Sequence, residues 1–291
     1  MTTDQELLPA IDSQHTFMDM EGFGRLSMYV DASAGGVPLL LVHSVNAAPS
    51  AMEMRPIFDA MRGERSVYAL ELPGFGRSDR PDIEYTTTVF RSAIACAIKN
   101  IGAPEIDLVG LSLSCEFSAF VASEPNSGVR SLTLISPTGL SWRKPPAMIG
   151  DGIFSVSRLP MVAKSLYKAL TSRPSIRYFL GQAFHRAPPS ELVDYAYETS
   201  HQPGARFAPY YFLSFGLFND NAVEHLYKAL SVPTLIVYDR DPNVAFDRLG
   251  ELVSNNTHVK AVRIERTLGL PHWECHERTM RVMATFWETL P

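Results

Sequence analysis

The sequence predicts an α/β fold: a mostly parallel sheet flanked by helices, with one helical insertion. Two observations predict it. Short apolar, β-branched runs alternate with helical patterns along most of the chain, and one long stretch between two such runs has no strand-like pattern. Several runs also lack polar alternation, as expected for strands buried on both faces. With 291 residues, the chain can form one large domain with an insertion, or two small domains.

The predicted elements follow in chain order. Two runs around Gly22, Phe23 and Gly24 predict an antiparallel hairpin that leads into the parallel part of the sheet. Six further strands are predicted at residues 37–42, 66–72, 106–109, 131–136, 232–238 and 259–264. Between them, apolar residues recur on one helical face within residues 54–61, 90–101 and 280–290.

The stretch from 139 to 230 interrupts this alternation. It contains several prolines and many aromatic residues but no strand-like run, so it predicts a helical cap inserted between two strands. The predicted core is then residues 1–138 and 231–291, with the cap at 139–230. Most of the aromatic residues are expected to fill the core of the cap, and a few to face the sheet.

Composition excludes several classes of function. Hydrophobic residues make up 46% and charged residues 20%, and the net charge of −5 argues against nucleic acid and anionic membrane surfaces as partners. The polar N-terminus does not resemble a secretory signal, and the apolar runs are too short to span a membrane. Three cysteines without metal-ligand spacing indicate reduced thiols. We therefore expect a cytoplasmic protein with a small-molecule substrate, and the sequence leaves the oligomeric state open.

The most informative motif is Gly-Leu-Ser-Leu-Ser at residues 110–114, which directly follows an apolar run and precedes a helical pattern. A tight strand-to-helix turn requires small residues beside the serine and raises the hydroxyl of Ser112 above the sheet. The N-terminus of the following helix favours developing negative charge. A serine that only caps this helix is the alternative, and the strand before it favours the nucleophile.

Four segments in the family's order resemble the α/β-hydrolase superfamily: residues 39–44, 72–79, 232–238 and 271–274. The resemblance implies that Ser112 is the nucleophile. It also implies that Asp241 is the acid that orients an imidazole, although an Asp-Pro pair is common in turns. The oxyanion hole would use the backbone N–H of Leu113 and a second one near Ser44 or Val45.

The expected base departs from the family pattern. Members typically contain Gly-His-x-Pro-His-x-Glu after the last strand, with the first histidine catalytic, whereas residues 268–274 place Gly269 there. His272 matches the second histidine. Three hypotheses follow: His272 turns in and completes a triad with Ser112 and Asp241, His201 in the cap serves instead, or no base contacts Ser112.

We therefore predict a hydrolase of a small to medium, mostly apolar ester or thioester that acts through an acyl-enzyme at Ser112. The alternatives are a lyase, isomerase or cyclase reaction in the same pocket, or a ligand-binding protein without activity. The sequence contains no phosphate-binding loop, dinucleotide fingerprint or zinc motif, so no cofactor or metal is expected.

Overall fold

The structure is a computed structural model that describes residues 7–142 and 160–290. Over these residues it contains a single eight-stranded sheet in the order β1-β2-β4-β3-β5-β6-β7-β8. The strands are β1 (Gln14–Met20), β2 (Gly24–Asp31), β3 (Leu39–Val42), β4 (Val67–Glu71), β5 (Ile106–Leu111), β6 (Val129–Ile135), β7 (Thr234–Tyr238) and β8 (Val259–Arg263).

The pairing confirms the predicted sheet. β2 is antiparallel to both β1 and β4, and strands β3 to β8 are parallel. Each of the six runs predicted in the parallel part overlaps one of strands β3 to β8, and the predicted hairpin turns at Gly22, whose φ is 74°.

The α-helices of the described residues are α1 (Arg55–Met61), α2 (Thr87–Ile101), α3 (Ser114–Ser123), α4 (Pro160–Leu170), α5 (Arg173–Gln182), α6 (Ser190–Ser200), α7 (Phe207–Leu213), α8 (Ala222–His225), α9 (Leu249–Asn255), α10 (Pro271–Glu274) and α11 (His276–Glu288). Short 3-10 helices occupy Ala51–Met54 and Tyr227–Ala229. None of these helices is both long and apolar enough to cross a bilayer.

Helix α2 illustrates how the local sequence forms these elements. Its buried side chains Phe90, Ala93, Ile94, Ala97 and Ile98 recur on one face and pack into the core. The helix begins at the hydroxyl of Thr86, which accepts a hydrogen bond from Val89 N, and it ends at Gly102, whose φ of 69° suits a residue without a side chain.

A buried ionic cluster joins the segment before β4 to β5 and β6, at the ends of these strands that lie away from Ser112. The fully buried carboxylate of Asp107 accepts hydrogen bonds from Arg65 Nη2 (2.5 Å), Arg130 Nη2 (2.8 Å) and Ser131 Oγ (2.6 Å). A buried carboxylate is tolerated when charged donors satisfy its oxygens, so this cluster is expected to depend on every partner.

The topology determines where a site can form. β4 lies on one side of β3 and β5 on the other, so the strand order reverses at β3. In parallel sheets, ligands bind in the crevice at the carboxyl ends of the strands where this reversal occurs. Val42 pairs with Gly110 there, which brings the loops after β3 and β5 together.

The connection between β6 and β7 is helical where the structure describes it. Residues 160–230, which we call the helical insertion, contain helices α4 to α8 and no strand. Residues 143–159 of the predicted cap lie outside the described residues, and a cap bounded at 139 and 230 stays a prediction.

Candidate active site

Ser112 lies at the sharp turn between β5 and α3. Its φ of 55° is in the left-handed region, which is uncommon for a residue with a side chain. Gly110 permits the close packing, because a Cβ there would lie 2.8 Å from Ser118 Oγ and 3.2 Å from the Cα of Cys115. Such strained serines at a strand end are typical of nucleophile turns.

Ser114 stands where the family usually has glycine, and the structure shows its contact. Its hydroxyl donates a hydrogen bond to the backbone carbonyl of His43, in the loop after β3. The His43 ring supports the same loop, since Nδ1 donates to Ser44 O (2.6 Å) and Nε2 accepts from Leu72 N (3.0 Å). Burial lowers the pKa of His43 to about 4, so this ring is neutral at physiological pH.

The backbone N–H groups of Val45 and Leu113 are the donors available to an oxyanion. Neither is hydrogen-bonded to any acceptor among residues 7–142 and 160–290. Ser44, the other residue suggested by the sequence, instead donates its N–H (2.8 Å) and its hydroxyl (3.0 Å) to the buried carboxyl of Glu53. Glu53 therefore holds the loop in place while Val45 remains free.

Asp241 follows β7, at the position expected from the sequence. Its Oδ1 accepts hydrogen bonds from the N–H groups of Asn243 (2.7 Å) and Val244 (3.2 Å). Burial raises the pKa of Asp241. The neighbouring Asp239 is bound elsewhere, to Arg263 Nε at 2.6 Å, and does not line the cavity that Asp241 lines.

Gly269 packs closely against Asp241. A Cβ at Gly269 would be 2.9 Å from Asp241 Oδ2 and 3.3 Å from Ala183 Cβ. Oδ2 receives no hydrogen bond from any residue that the structure describes. The carboxylate therefore faces the backbone position where the family pattern has its catalytic histidine.

The two histidines considered from the sequence lie elsewhere. His272 is completely buried, and its Nε2 donates to the backbone carbonyl of Glu53 at 2.8 Å. Burial lowers the pKa of His272 to about 4. The exposed ring of His201 packs on Tyr197, and its Nδ1 donates to the carbonyl of that residue at 2.7 Å. Neither histidine is among the residues that line the cavity at Ser112.

A cavity of about 730 Å³ lies over the strand ends. It brings together Ser44, Val45, Ser112, Leu113 and Asp241. Apolar side chains of the helical insertion cover it: Leu170, Ile176, Phe179, Leu180, Leu192, Ala196, Phe212, Leu213, Phe215 and Phe218. This size and composition suit a small, largely apolar ligand.

The acidic character of the cavity was not predicted from the sequence. Carboxyl groups of Glu53, Glu116, Asp220 and Asp241 line it, together with Arg248. No cluster of three or more His, Cys, Asp or Glu side chains in the described ranges is arranged to hold a metal ion. The only signal for Glu116 was a single charge in the otherwise small and apolar helix that follows Ser112.

Glu116 is a buried titratable group close to the ligand space. Thr138 Oγ1 donates to its Oε1, and Asn219 N donates to its Oε2 at 2.8 Å. Burial raises its pKa to about 7 despite these hydrogen bonds. Glu116 therefore changes charge within the physiological pH range.

Replacing Glu116 with glutamine is expected to stabilise the protein more at pH 8 than at pH 5. The folded pKa of about 7 exceeds the ordinary value of 4.5, so the folded state holds a proton that the unfolded state has released. Wild-type stability therefore falls as pH rises through this window, and glutamine avoids the loss. The advantage in free energy of unfolding should grow by at most about 3 kcal/mol, measured by urea denaturation at both pH values.

Glu124→Gln at the exposed end of the same helix is the matched control. The same change with pH in both variants would contradict a special role for burial at Glu116.

Comparison with known proteins confirms this fold. The fold and the serine turn define a protein of α/β-hydrolase architecture. Residues 39–280 match the model of the Alpha/beta hydrolase family, and the chain belongs to that family. A curated relative, the 2-(acetamidomethylene)succinate hydrolase of Mesorhizobium japonicum, is 26% identical over 128 residues. The match covers 44% of this chain and 45% of that relative, so it spans less than half of either protein.

Solved structures extend the similarity over nearly the whole chain. A serine hydrolase involved in carbazole degradation matches with a TM-score of 0.76 and 18% identity, covering 94% of this chain and 98% of that one. The enol-lactonase of Burkholderia xenovorans matches with a TM-score of 0.74 and 13% identity, over 94% of this chain and 100% of that one. An E-2-(acetamidomethylene)succinate hydrolase matches with a TM-score of 0.68 and 17% identity, over 95% of this chain and 99% of that one. At these identities the likeness shows the fold.

Proposed function

We propose that the protein hydrolyses a small to medium, largely apolar ester or thioester through an acyl-enzyme at Ser112. The observation that carries the proposal is the joint placement of three groups. Ser112 lies on its strained turn beside two N–H groups, of Val45 and Leu113, that have no acceptor among the described residues, and all three residues line one largely apolar cavity. Family membership and hydrolase relatives support the same reaction class.

The reaction takes two steps. Ser112 Oγ adds to the carbonyl carbon, and the carbonyl electron pair moves to the oxygen that Val45 and Leu113 bind. The hydroxyl proton passes to a base and then to the departing alcohol or thiol, which leaves an acyl group on Ser112. In the second step water attacks this acyl group, the Oγ–C bond breaks, and one proton of the water returns to Ser112 Oγ as the acid is released. Two preorganised donors typically contribute about 3 kcal/mol each to the first barrier.

The first prediction concerns the covalent intermediate. Incubation with p-nitrophenyl butyrate, followed by acid quenching and peptide mass spectrometry, should show a butyryl group on Ser112, and Ser112→Ala should show none. The adduct is decisive because an oxyanion site and binding alone can leave about 1,000-fold catalysis over water, so weak turnover does not identify a nucleophile.

His272→Gln separates the hypotheses about the base. Acylation that persists in this variant excludes His272 from proton transfer, whereas its loss assigns that role to His272. The glutamine can still donate to the Glu53 carbonyl, which Trp273 Nε1 also contacts at 2.8 Å, so the core is expected to hold.

A second candidate function is a non-hydrolytic reaction or ligand binding in the same cavity. The observation that favours it is that no histidine is among the described residues lining the cavity. Absence of an acyl adduct, together with equal ligand affinity in the wild type and Ser112→Ala, would support this candidate.

A further inference from the structure

Two consecutive peptide units in the loop after β3 determine the direction of the Val45 N–H. The first unit joins His43 to Ser44 and is held at both ends. Its carbonyl accepts from the hydroxyl of Ser114, and its N–H donates to Glu53 Oε2 at 2.8 Å. The second unit joins Ser44 to Val45, and its carbonyl accepts from His43 Nδ1 at 2.6 Å. Because a peptide unit is planar, these contacts also fix the direction of the Val45 N–H.

The side chain of Ser44 is held by the same carboxyl group. Ser44 Oγ accepts from Asn46 Nδ2 (2.7 Å), so its own hydrogen is directed to Glu53 Oε1 at 3.0 Å. Asn46 Nδ2 also donates to Oε1 at 3.1 Å. Both oxygens of Glu53 therefore accept and neither has to donate, which is the pattern of an ionised carboxylate. Burial raises the pKa of Glu53, and these three donors oppose the rise.

Glu53 has a rigid support of its own. It lies in the short 3-10 helix Ala51–Met54, whose four residues are all buried. Its N–H donates to Ser50 O at 3.0 Å, and its carbonyl accepts from His272 Nε2 and Trp273 Nε1, each at 2.8 Å. The carboxylate is therefore attached to a segment that is fixed independently of the loop it contacts, as precise positioning of a site requires.

We infer that Glu53 is a positioning residue of the oxyanion hole: its carboxylate fixes the loop after β3 so that the Val45 N–H is directed at the oxyanion formed at Ser112. The inference rests on the proposed function. All three residues line the same cavity. A carboxylate near a developing oxyanion also repels it, so the inference requires that the hydrogen bonds of Glu53 outweigh the repulsion.

Glu53→Gln tests this balance, because it removes the charge and replaces one acceptor with an NH₂ group. That NH₂ group would face a donor of the loop, so the loop must move. The maximal rate of butyrylation of Ser112 by p-nitrophenyl butyrate should fall by about 100-fold, the cost of a displacement of about 1 Å. The half-saturating ester concentration should stay unchanged, because the oxyanion donor acts in the transition state. Peptide mass spectrometry at successive times measures both.

Two further variants separate positioning from a general loss of stability. Ser44→Ala removes one of the three donors and keeps the carboxylate, so it should fold normally and slow butyrylation by about tenfold. Asp107→Asn is the matched control, since this buried carboxylate also accepts from three residues, at the strand ends away from Ser112. It should lower the free energy of unfolding and leave the butyrylation rate unchanged.

The outcomes distinguish the inference from the proposed function. Butyrylation of wild-type Ser112 that is equally fast in Glu53→Gln and Ser44→Ala would overturn the inference and uphold the proposed function. Faster butyrylation in Glu53→Gln would also overturn it, because the repulsion would then be the larger effect. An equal loss of rate in Asp107→Asn would show that only stability is measured, and would overturn it as well. Absence of any adduct on wild-type Ser112 would overturn both.

Discussion

Replacing Gly269 with histidine is expected to raise the rate of p-nitrophenyl butyrate hydrolysis by about 100-fold or more, since it supplies a general base. The new Cβ would lie 2.9 Å from Asp241 Oδ2, so the carboxylate must shift slightly, after which it can accept a ring N–H. The backbone of Gly269 is outside the left-handed region, so a side chain adds no backbone strain there. Steady-state kinetics measure the gain.

Two controls make the result specific. Gly269→Ala adds the Cβ without a base and should leave the rate low, and the double variant Ser112→Ala/Gly269→His should lose the gain. Equal rates in the alanine and histidine variants would contradict the assignment of Asp241 as the orienting acid.

Replacing Asp107 with alanine is expected to lower the free energy of unfolding by about 3 kcal/mol. The substitution leaves Arg65 and Arg130 next to each other at the buried end of β5 without the carboxylate that they share. Removing one partner of a buried ion pair costs about 3–5 kcal/mol, and the partial exposure of the two arginines places the loss at the lower end. Urea denaturation gives the difference.

Asp59→Ala is the matched control, because Asp59 pairs with Arg62 at the surface. Exposed pairs contribute about 1 kcal/mol or less. A loss at Asp107 no larger than that at Asp59 would show that the arginines reach solvent when the carboxylate is absent.

Much of the fold could be predicted from the sequence, because burial on both faces gives the parallel strands apolar runs. The turn at Ser112 was equally visible, since the steric demands of a strand-to-helix turn restrict residues 110–114 to a recognisable pattern. The positions of Asp241 and Gly269 followed from their distance to the preceding strands, since parallel strands bring their carboxyl ends to one edge.

The partners of individual side chains could not be predicted. His272 donates to Glu53, a residue far away in the sequence, and only the packed structure shows that this contact holds the ring in the core. The hydroxyl of Ser114 likewise donates to the carbonyl of His43, which lies in another loop. The burial of Glu116, which raises its pKa, depends on the packed structure, in which Asn219 of the helical insertion donates to its carboxyl group.

The carboxyl groups of the cavity also bear on the end of the catalytic cycle. Ester hydrolysis converts a neutral carbonyl group into an anion, formed next to Asp241 and Glu116 in a partly enclosed space. Like charges repel strongly at short distance where water is scarce. For the proposed reaction we therefore expect the newly formed acid to leave the cavity readily, to inhibit weakly and to be a poor substrate for the reverse esterification.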